Sequence, residues 1–567
     1  MKKLSTLFAL LVALSLVLVA CGGATAPAAT TEDTATGGDT GAAQDEFAAM
    51  AEFEGLKLDA GSCDYGGKVL SIEAVDELTV VFTLCKPDPA FEAKIAFTPF
   101  GIQPQEHIAR TGGSGDLLEN PIGTGPFKVA QWDRGNQIVY TRFDDYWGQK
   151  SAASTVTLRW LTEGAARLQE LQAGTADFIS NVSPSDYATI ESDPNLQLIN
   201  QDNPNVFYVG FTNTAAPFDN VDVRRAIAMG LDYQRIVDNF YPAGSEVATH
   251  FTPCGIPNGC EGEDWYTFDA EAGRALLAEA GYPDGFTTKL YYRDVFRVYL
   301  PEPARVATEI QAQLQENLGI TVEVVPMESG EFIDASTSGT LTDGMHLLGW
   351  GADYPHVTNF LDFHFAANNP QFGTAHAEIY EALQEASSIS DLATAAPLYA
   401  QANNAIKELV PLIPVAHGSA SHAASTALQG AYYPPFGAPQ FNFFDNGTDS
   451  IVVIQNAEPI SLDCADETDG ESLTACQQVV ETLLEYGQDS GETFPELATA
   501  CVANDESTVW TCSLREGVKF HDGSALDADD VVASWARGLD ASSPYHVGNT
   551  GSFDYYGYLW DSFINAQ

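Results

Sequence analysis

Residues 347–361 read Leu-Leu-Gly-Trp-Gly-Ala-Asp-Tyr-Pro-His-Val-Thr-Asn-Phe-Leu, and the rest of the chain is organised to position this stretch. An apolar, strand-like run (Met345, Leu347, Leu348) leads into a Gly-Trp-Gly turn. The turn, with Gly351 in it, delivers Asp353 between Trp350 and Tyr354. An indole face beside a single carboxylate suits a cationic or amine-bearing ligand, because the ring offers apolar area and the carboxylate offers orientation. The same residues also fit a capped loop in which Asp353 accepts backbone N–H bonds and Trp350 is core.

A chain of 567 residues can bury a large core, and at roughly 150 residues per unit it holds about three or four. Acidic residues number 78 against 25 basic, a formal charge of −53. Nucleic acid and anionic membrane surfaces are therefore poor partners for the folded body. The acids are scattered and not blocked into a tail, which reads as a solvated surface.

Lys2 and Lys3 precede an apolar run from Leu7 to Ala20 that ends at Leu18-Val19-Ala20-Cys21. The pattern resembles a bacterial lipoprotein leader (1–21), which implies cleavage before Cys21 and a lipid anchor on its thiol. An ordinary secretory leader is the rival reading, and both export the body. Residues 22–45 carry Gly, Ala, Thr, Pro and acids without an aromatic or large aliphatic residue, so they read as a disordered tether spanning roughly 25–29 Å.

Of the nine cysteines, Cys21 aside, the other eight fall in near pairs: Cys63 with Cys85, Cys254 with Cys260, Cys464 with Cys476 and Cys501 with Cys512. An even count in an exported protein favours disulfides, and neighbour pairing is the simplest of many connectivities. Neither a CxxC nor an HExxH motif occurs, so no metal site and no cofactor is expected.

From residue 46 the pattern is mixed α/β. Residues 68–72 and 78–84 alternate as a hairpin. Further strands are expected at 177–179, 206–211, 289–292 and 321–325. Helices are expected at 165–173, 221–237, 269–280 and 303–318. The Gly-Thr-Gly of 123–125 lacks both phosphate-loop fingerprints and reads as a turn between strands.

Five motifs, NPIGTGPF (120–127), DDYWG (144–148), VRRAIAMGLD (223–232), AEAGYPDGF (278–286) and GWGADYP (349–355), together resemble the family-5 solute-binding proteins of peptide and nickel ABC importers. The resemblance implies a two-lobed α/β periplasmic-binding-protein-like fold with a ligand cleft between the lobes. Lobe I would be 46–250 plus 418–567, and lobe II 251–417. It further implies a monomer, anchored only by its lipid, that captures a small peptide and delivers it to ABC permease subunits in the cytoplasmic membrane. Asp353 matches the position that pairs with a peptide's free N-terminus, and Trp350, Gly351 and Tyr354 flank it. Arg293, with Arg297 as second choice, is the nearest match for the residue that reads the C-terminus. His356 stands where the family usually has an acid, which puts dipeptide specificity in question.

Residues 448–567, which include TCSLREGVKFHDGSALDADDVVASWARGL (511–539), resemble the segment that normally opens the mature family protein. Here they come last, the arrangement of a circular permutation, with Asn446-Gly447 as a turn suited to joining the old ends; an artefact of gene assembly, or a tandem array cut out of frame with its repeat, is the rival reading. On this reading 449–457 pairs in one sheet with strands from 120–179 and 206–211. Catalytic readings are weak: His250, His346, His356, His364 and His417 lack ligand spacing, Ser419 lacks a nucleophile elbow, and Asp527, Asp529 and Asp530 read as a helix cap. A binding protein for a sugar or metal chelate, and an extracellular sensor reusing the fold, are the remaining rivals.

Overall fold

Alternation in the first hairpin sets every second side chain of Thr79–Leu84 into the interior, and this strand pairs antiparallel with Val69–Asp76. The computed structural model describes residues 52–367, 369–389 and 391–566. The leader, the tether, Cys21 and the first residues assigned to lobe I lie outside the described residues. Lys57–Asp59 extends the hairpin on one side, and Val509–Leu514 followed by Ala498–Ala503 on the other, giving a five-stranded antiparallel sheet.

A second sheet has the order Phe127–Asp133, Gln137–Arg142, Thr155–Trp160, Ser450–Gln455, Phe178–Ile179, Ala420–Ser425, Leu196–Gln201. Ser450–Gln455 lies in its middle, parallel to both neighbours. Gly123 and Gly125 of the expected turn lie flat on the Val479 backbone, and a Cβ on Gly123 would meet its carbonyl oxygen at 2.1 Å.

The third sheet runs Glu246–Val247, Leu412–His417, Asn205–Phe211, Gly344–Gly351, Thr287–Arg293, Thr321–Met327. Helix Pro303–Leu318 links the parallel strands Thr287–Arg293 and Thr321–Met327 at one side of this sheet and packs on both. Each sheet carries its own buried apolar cluster, the seven-stranded sheet two.

Two expectations need correction. The strand Asn205–Phe211 belongs to the third sheet and not to the one that holds Ser450–Gln455. All seven of its residues are buried, so it reads as an interior strand without indicating which interior. The chain thus passes from the seven-stranded to the six-stranded sheet at 202–204, well before residue 251, and returns at 418–419. The run 221–237 forms two helices, Val221–Gly230 and Tyr233–Phe240, because the Asp232 side chain accepts the Arg235 N–H at 3.0 Å and caps the second.

All four neighbouring cysteine pairs are joined, with Cα separations of 5.5, 5.0, 5.8 and 4.0 Å in chain order. Asp527 and Asp530 form a capping box on helix Ala528–Leu539. Asp529 is fully buried and accepts the N–H groups of Glu54, Gly55 and Leu56 at 2.6, 3.2 and 2.6 Å. These three carboxylates are structural, and the start of the described chain is fastened to a helix near its end.

Candidate functional site

Strand Gly344–Gly351 ends at the Gly-Trp-Gly turn, where the Ala352 N–H bonds the Pro204 carbonyl at 2.9 Å and fixes the next residue beside the crossing between sheets. Asp353 is then oriented by Asn359, a fully buried residue of the same stretch. The Asn359 Oδ1 accepts from the Trp350 Nε1 and from the Asp353 N–H, both at 3.1 Å. With its oxygen saturated, the amide turns its Nδ2 to the Asp353 Oδ2 at 3.0 Å. The Tyr555 hydroxyl donates to Asp353 Oδ1 at 3.3 Å from the other lobe.

Each carboxylate oxygen therefore has one neutral donor, and among the described residues no lysine, arginine or histidine forms an ion pair with Asp353. Burial pushes its pKa up to about 6, against the smaller opposing effect of the Asn359 and Tyr555 hydrogen bonds. Its side chain borders a cavity of about 310 Å³ between the lobes, together with Ala352 and Val298 on one side and Phe178, Tyr433, Asn456 and Glu471 on the other.

The remaining expected residues occupy distinct places. Trp350 packs behind Asp353, stacked on Phe363 at 4.4 Å and edge-on to His364 at 5.2 Å, and it orients Asn359 without lining the cavity. Gly351 is exposed, with open space where a Cβ would project. Tyr354 turns away from Asp353 into a second inter-lobe cavity of about 800 Å³, where the Lys94 ammonium lies 5.5 Å from its ring. Arg293 donates to the Ser329 Oγ at 3.1 Å and the Tyr299 hydroxyl at 3.3 Å. Arg297 donates to the Phe296 carbonyl at 2.8 Å and remains open to solvent. Partial burial of its guanidinium and the charge of Arg293 alongside hold Arg297 below the usual arginine value. Neither arginine pairs with a carboxylate among the described residues, and Arg297 adjoins the lining residue Val298.

Sequence reasoning missed Asn359, Tyr555, Tyr433 and Glu471. Only Asn359 carried a local signal, six residues after Asp353 in the quoted stretch. The histidines are single buried side chains: burial lowers His346, His356, His364 and His417 to about 4. His250, Cys254 and Cys260 bring potential ligand atoms within 4.8 Å of one another, but the two sulfurs are bonded to each other and offer no thiolate. Among the described residues no helix is long and apolar enough to cross a membrane.

Two α/β lobes joined by paired crossings, with a cavity between them bordered by a carboxylate without a cation, define a two-lobed solute-binding protein. The sequence model of the bacterial extracellular solute-binding proteins, family 5 (Middle), matches residues 30–372 and 492–556. Heme-binding protein A of Haemophilus influenzae is 31% identical over 380 residues, which cover 65% of this chain and 69% of that protein. Di/tripeptide-binding protein 1 of Pseudomonas aeruginosa is 30% identical over 381 residues, 66% of this chain and 70% of that one. Among solved structures, HbpA2 from Haemophilus parasuis matches with a TM-score of 0.60 and 31% identity over 67% of this chain and 76% of its own. The chain belongs to the bacterial extracellular solute-binding proteins of family 5. It is a transport binding protein and not an enzyme.

The raised pKa of Asp353 bears on stability. Between its unfolded value of 3.8 and about 6 the folded state holds the extra proton, so this group lowers stability as pH rises through that window. Asp353→Asn removes the desolvated charge and should stabilise the unliganded protein at pH 7 by about 1–2 kcal/mol. That figure takes ~1.4 kcal/mol for each tenfold gain in proton affinity and discounts it for solvent screening of a partly exposed side chain. The gain should vanish near pH 3.5. Urea unfolding of both proteins at the two pH values measures it, and a destabilised mutant at pH 7 would contradict the assigned burial.

Proposed function

We propose that the protein captures a peptide in the cavity between its lobes and delivers it to an ABC permease. The observation that carries this is Asp353, a desolvated carboxylate with two neutral donors and no cation, which lacks only a charged donor such as a peptide ammonium. A cavity of about 310 Å³ lies at the small end of the ~300–1,000 Å³ typical of small-ligand sites. The similarity to a protein named for di- and tripeptides supports the same class. Arg297, at the rim beside Val298, or Arg293 behind it, would read the ligand's carboxylate.

Removing one partner of a buried charge pair costs roughly 3–5 kcal/mol, and a charge-assisted bond contributes roughly 1.5–3. Asp353→Asn should therefore weaken peptide binding by at least about tenfold, and up to a few thousandfold. N-acetylation should cost wild type a similar factor and the mutant much less. Affinity for the free peptide should also fall as pH drops below about 6, where Asp353 takes up a proton. Titration calorimetry decides: equal affinity for free and acetylated peptide would leave a sugar or metal chelate as the better ligand.

The leader and tether place the body on the outer face of the cytoplasmic membrane through acylated Cys21. Several acyl chains at roughly 0.8 kcal/mol per buried CH₂ hold firmly. Cys21→Ser should move the protein from washed membranes into the soluble fraction, and retention would end the lipoprotein reading.

We further read the segment order as circularly permuted. Two observations support it: the family model falls on two separated segments, and Ser450–Gln455 occupies the middle of a sheet built otherwise from 127–201 and 420–425. A gene rebuilt to begin at residue 448, with 567 joined to 46, should yield a protein that binds peptide within about threefold of the original, since core contacts survive cuts in exposed loops. An unfolded product would count against the permutation.

A further inference from the structure

The cavity beside Asp353 has an uneven charge. Its lining holds two carboxylates, Asp353 from one lobe and Glu471 from the other, and no lysine, arginine or histidine. Aromatic rings (Phe178, Tyr433, Phe436, Tyr555) and neutral polar or small apolar residues make up the rest. One ammonium satisfies Asp353 and leaves Glu471 over.

Glu471 is half-buried, and among the described residues its side chain accepts from the Asn456 Nδ2 alone, at Oε1. It forms no ion pair among the described residues. Two guanidinium groups lie close enough to feel its charge, Arg167 and Arg297. Arg167 is buried behind the wall, and its donors are spent on the carbonyls of Leu161, Thr162, Ser180 and Asn181. Arg297 stands at the rim.

Beside Glu471 the Tyr433 ring stacks at 3.8 Å on His422, with 11° between the planes. Burial lowers His422 to about 3, so the imidazole behind Tyr433 is neutral and does not repel a cation on the other face. A carboxylate beside an aromatic face is the chemistry that recognises an ammonium or guanidinium.

We propose that Glu471 is a second cation-reading group of this cavity, selecting ligands that carry a basic side chain in addition to the amino group read by Asp353. This rests on the peptide reading above for the identity of the ligand, but the Glu471 subsite itself is defined by charge alone.

The test compares Ala-Lys-Ala with Ala-norleucine-Ala, which has the same reach without the charge, by titration calorimetry on wild type and on Glu471→Gln. The amide keeps an acceptor for Asn456, so the fold should persist. Wild type should prefer the lysine peptide by at least about tenfold, and Glu471→Gln should bring the two within about threefold. Glu471→Asp should retain part of the preference. An equal preference in wild type and Glu471→Gln, or none in wild type, overturns the proposal. If neither peptide binds, the peptide reading fails, and 1,5-diaminopentane against n-pentylamine then decides the subsite. A diamine preference lost in Glu471→Gln upholds it, and no such preference overturns it.

Discussion

Everything in this molecule turns on Asn205, the residue that welds the two crossings between sheets. Its side-chain amide mimics a peptide unit: Nδ2 donates to the Gly418 carbonyl at 2.6 Å and Oδ1 accepts the Gly418 N–H at 2.8 Å. The Asn205 carbonyl accepts from His417 Nδ1 at 2.6 Å, which sets the tautomer of an imidazole that burial keeps neutral. Crossings 202–204 and 418–419 are thereby held side by side. A Cβ on Gly418 would meet the Val298 carbonyl at 2.2 Å, so the return crossing also presses against the loop that lines the cavity beside Asp353. The joint between lobes and the rim of the site are one packed unit, and a shift at one is felt at the other.

The same economy governs the site. Asn359 spends both acceptor sites of its Oδ1 and one of its Nδ2 hydrogens on Trp350 and Asp353, and Trp350 stacks its ring on Phe363. What results is a carboxylate fixed in direction but poorly solvated. Removing its ionic charge would suit the empty protein better, which is the usual relation between a binding site and stability. The aromatic wall opposite contributes area and a polarisable face, and its Tyr555 hydroxyl is the second donor to Asp353.

Much of this could be read from the sequence. Strand and helix types follow from periodicity, and the hairpin at 69–84 and the helix 303–318 lie where the pattern puts them. Near pairing of the cysteines also gave the disulfides. Sheet membership was not legible, because 206–211 lacks a polar alternation and suits any interior, and its partners lie far along the chain. The split of 221–237 was missed because Asp232 was read as a helix residue when its side chain serves as a cap. At the site the carboxylate was legible and its surroundings were not. Which way Tyr354 points, and that Tyr555 reaches Asp353 from 202 residues away, depend on register and packing that no local pattern encodes.

Segment order is the last point on which contacts speak. The seven-stranded sheet draws strands from 127–201, 420–425 and 450–455, and its central strand is the one placed last in sequence. Asp529 holds residues 54–56 across a separation of 475 residues. The buried pair Arg537–Asp463, with Arg537 also donating to the Gly113 carbonyl at 2.9 Å, ties three distant stretches together. None of these interactions depends on which segment comes first, since stability reflects the contacts formed and not the path that connects them. What order does change is loop closure: contacts between early and late residues must wait until both are made and brought together, which slows folding more than it lowers stability. The lobe that carries Asp353 is one continuous run of chain from 203 to 418, while the lobe that carries Glu471 and Tyr555 joins segments from both sides of that run.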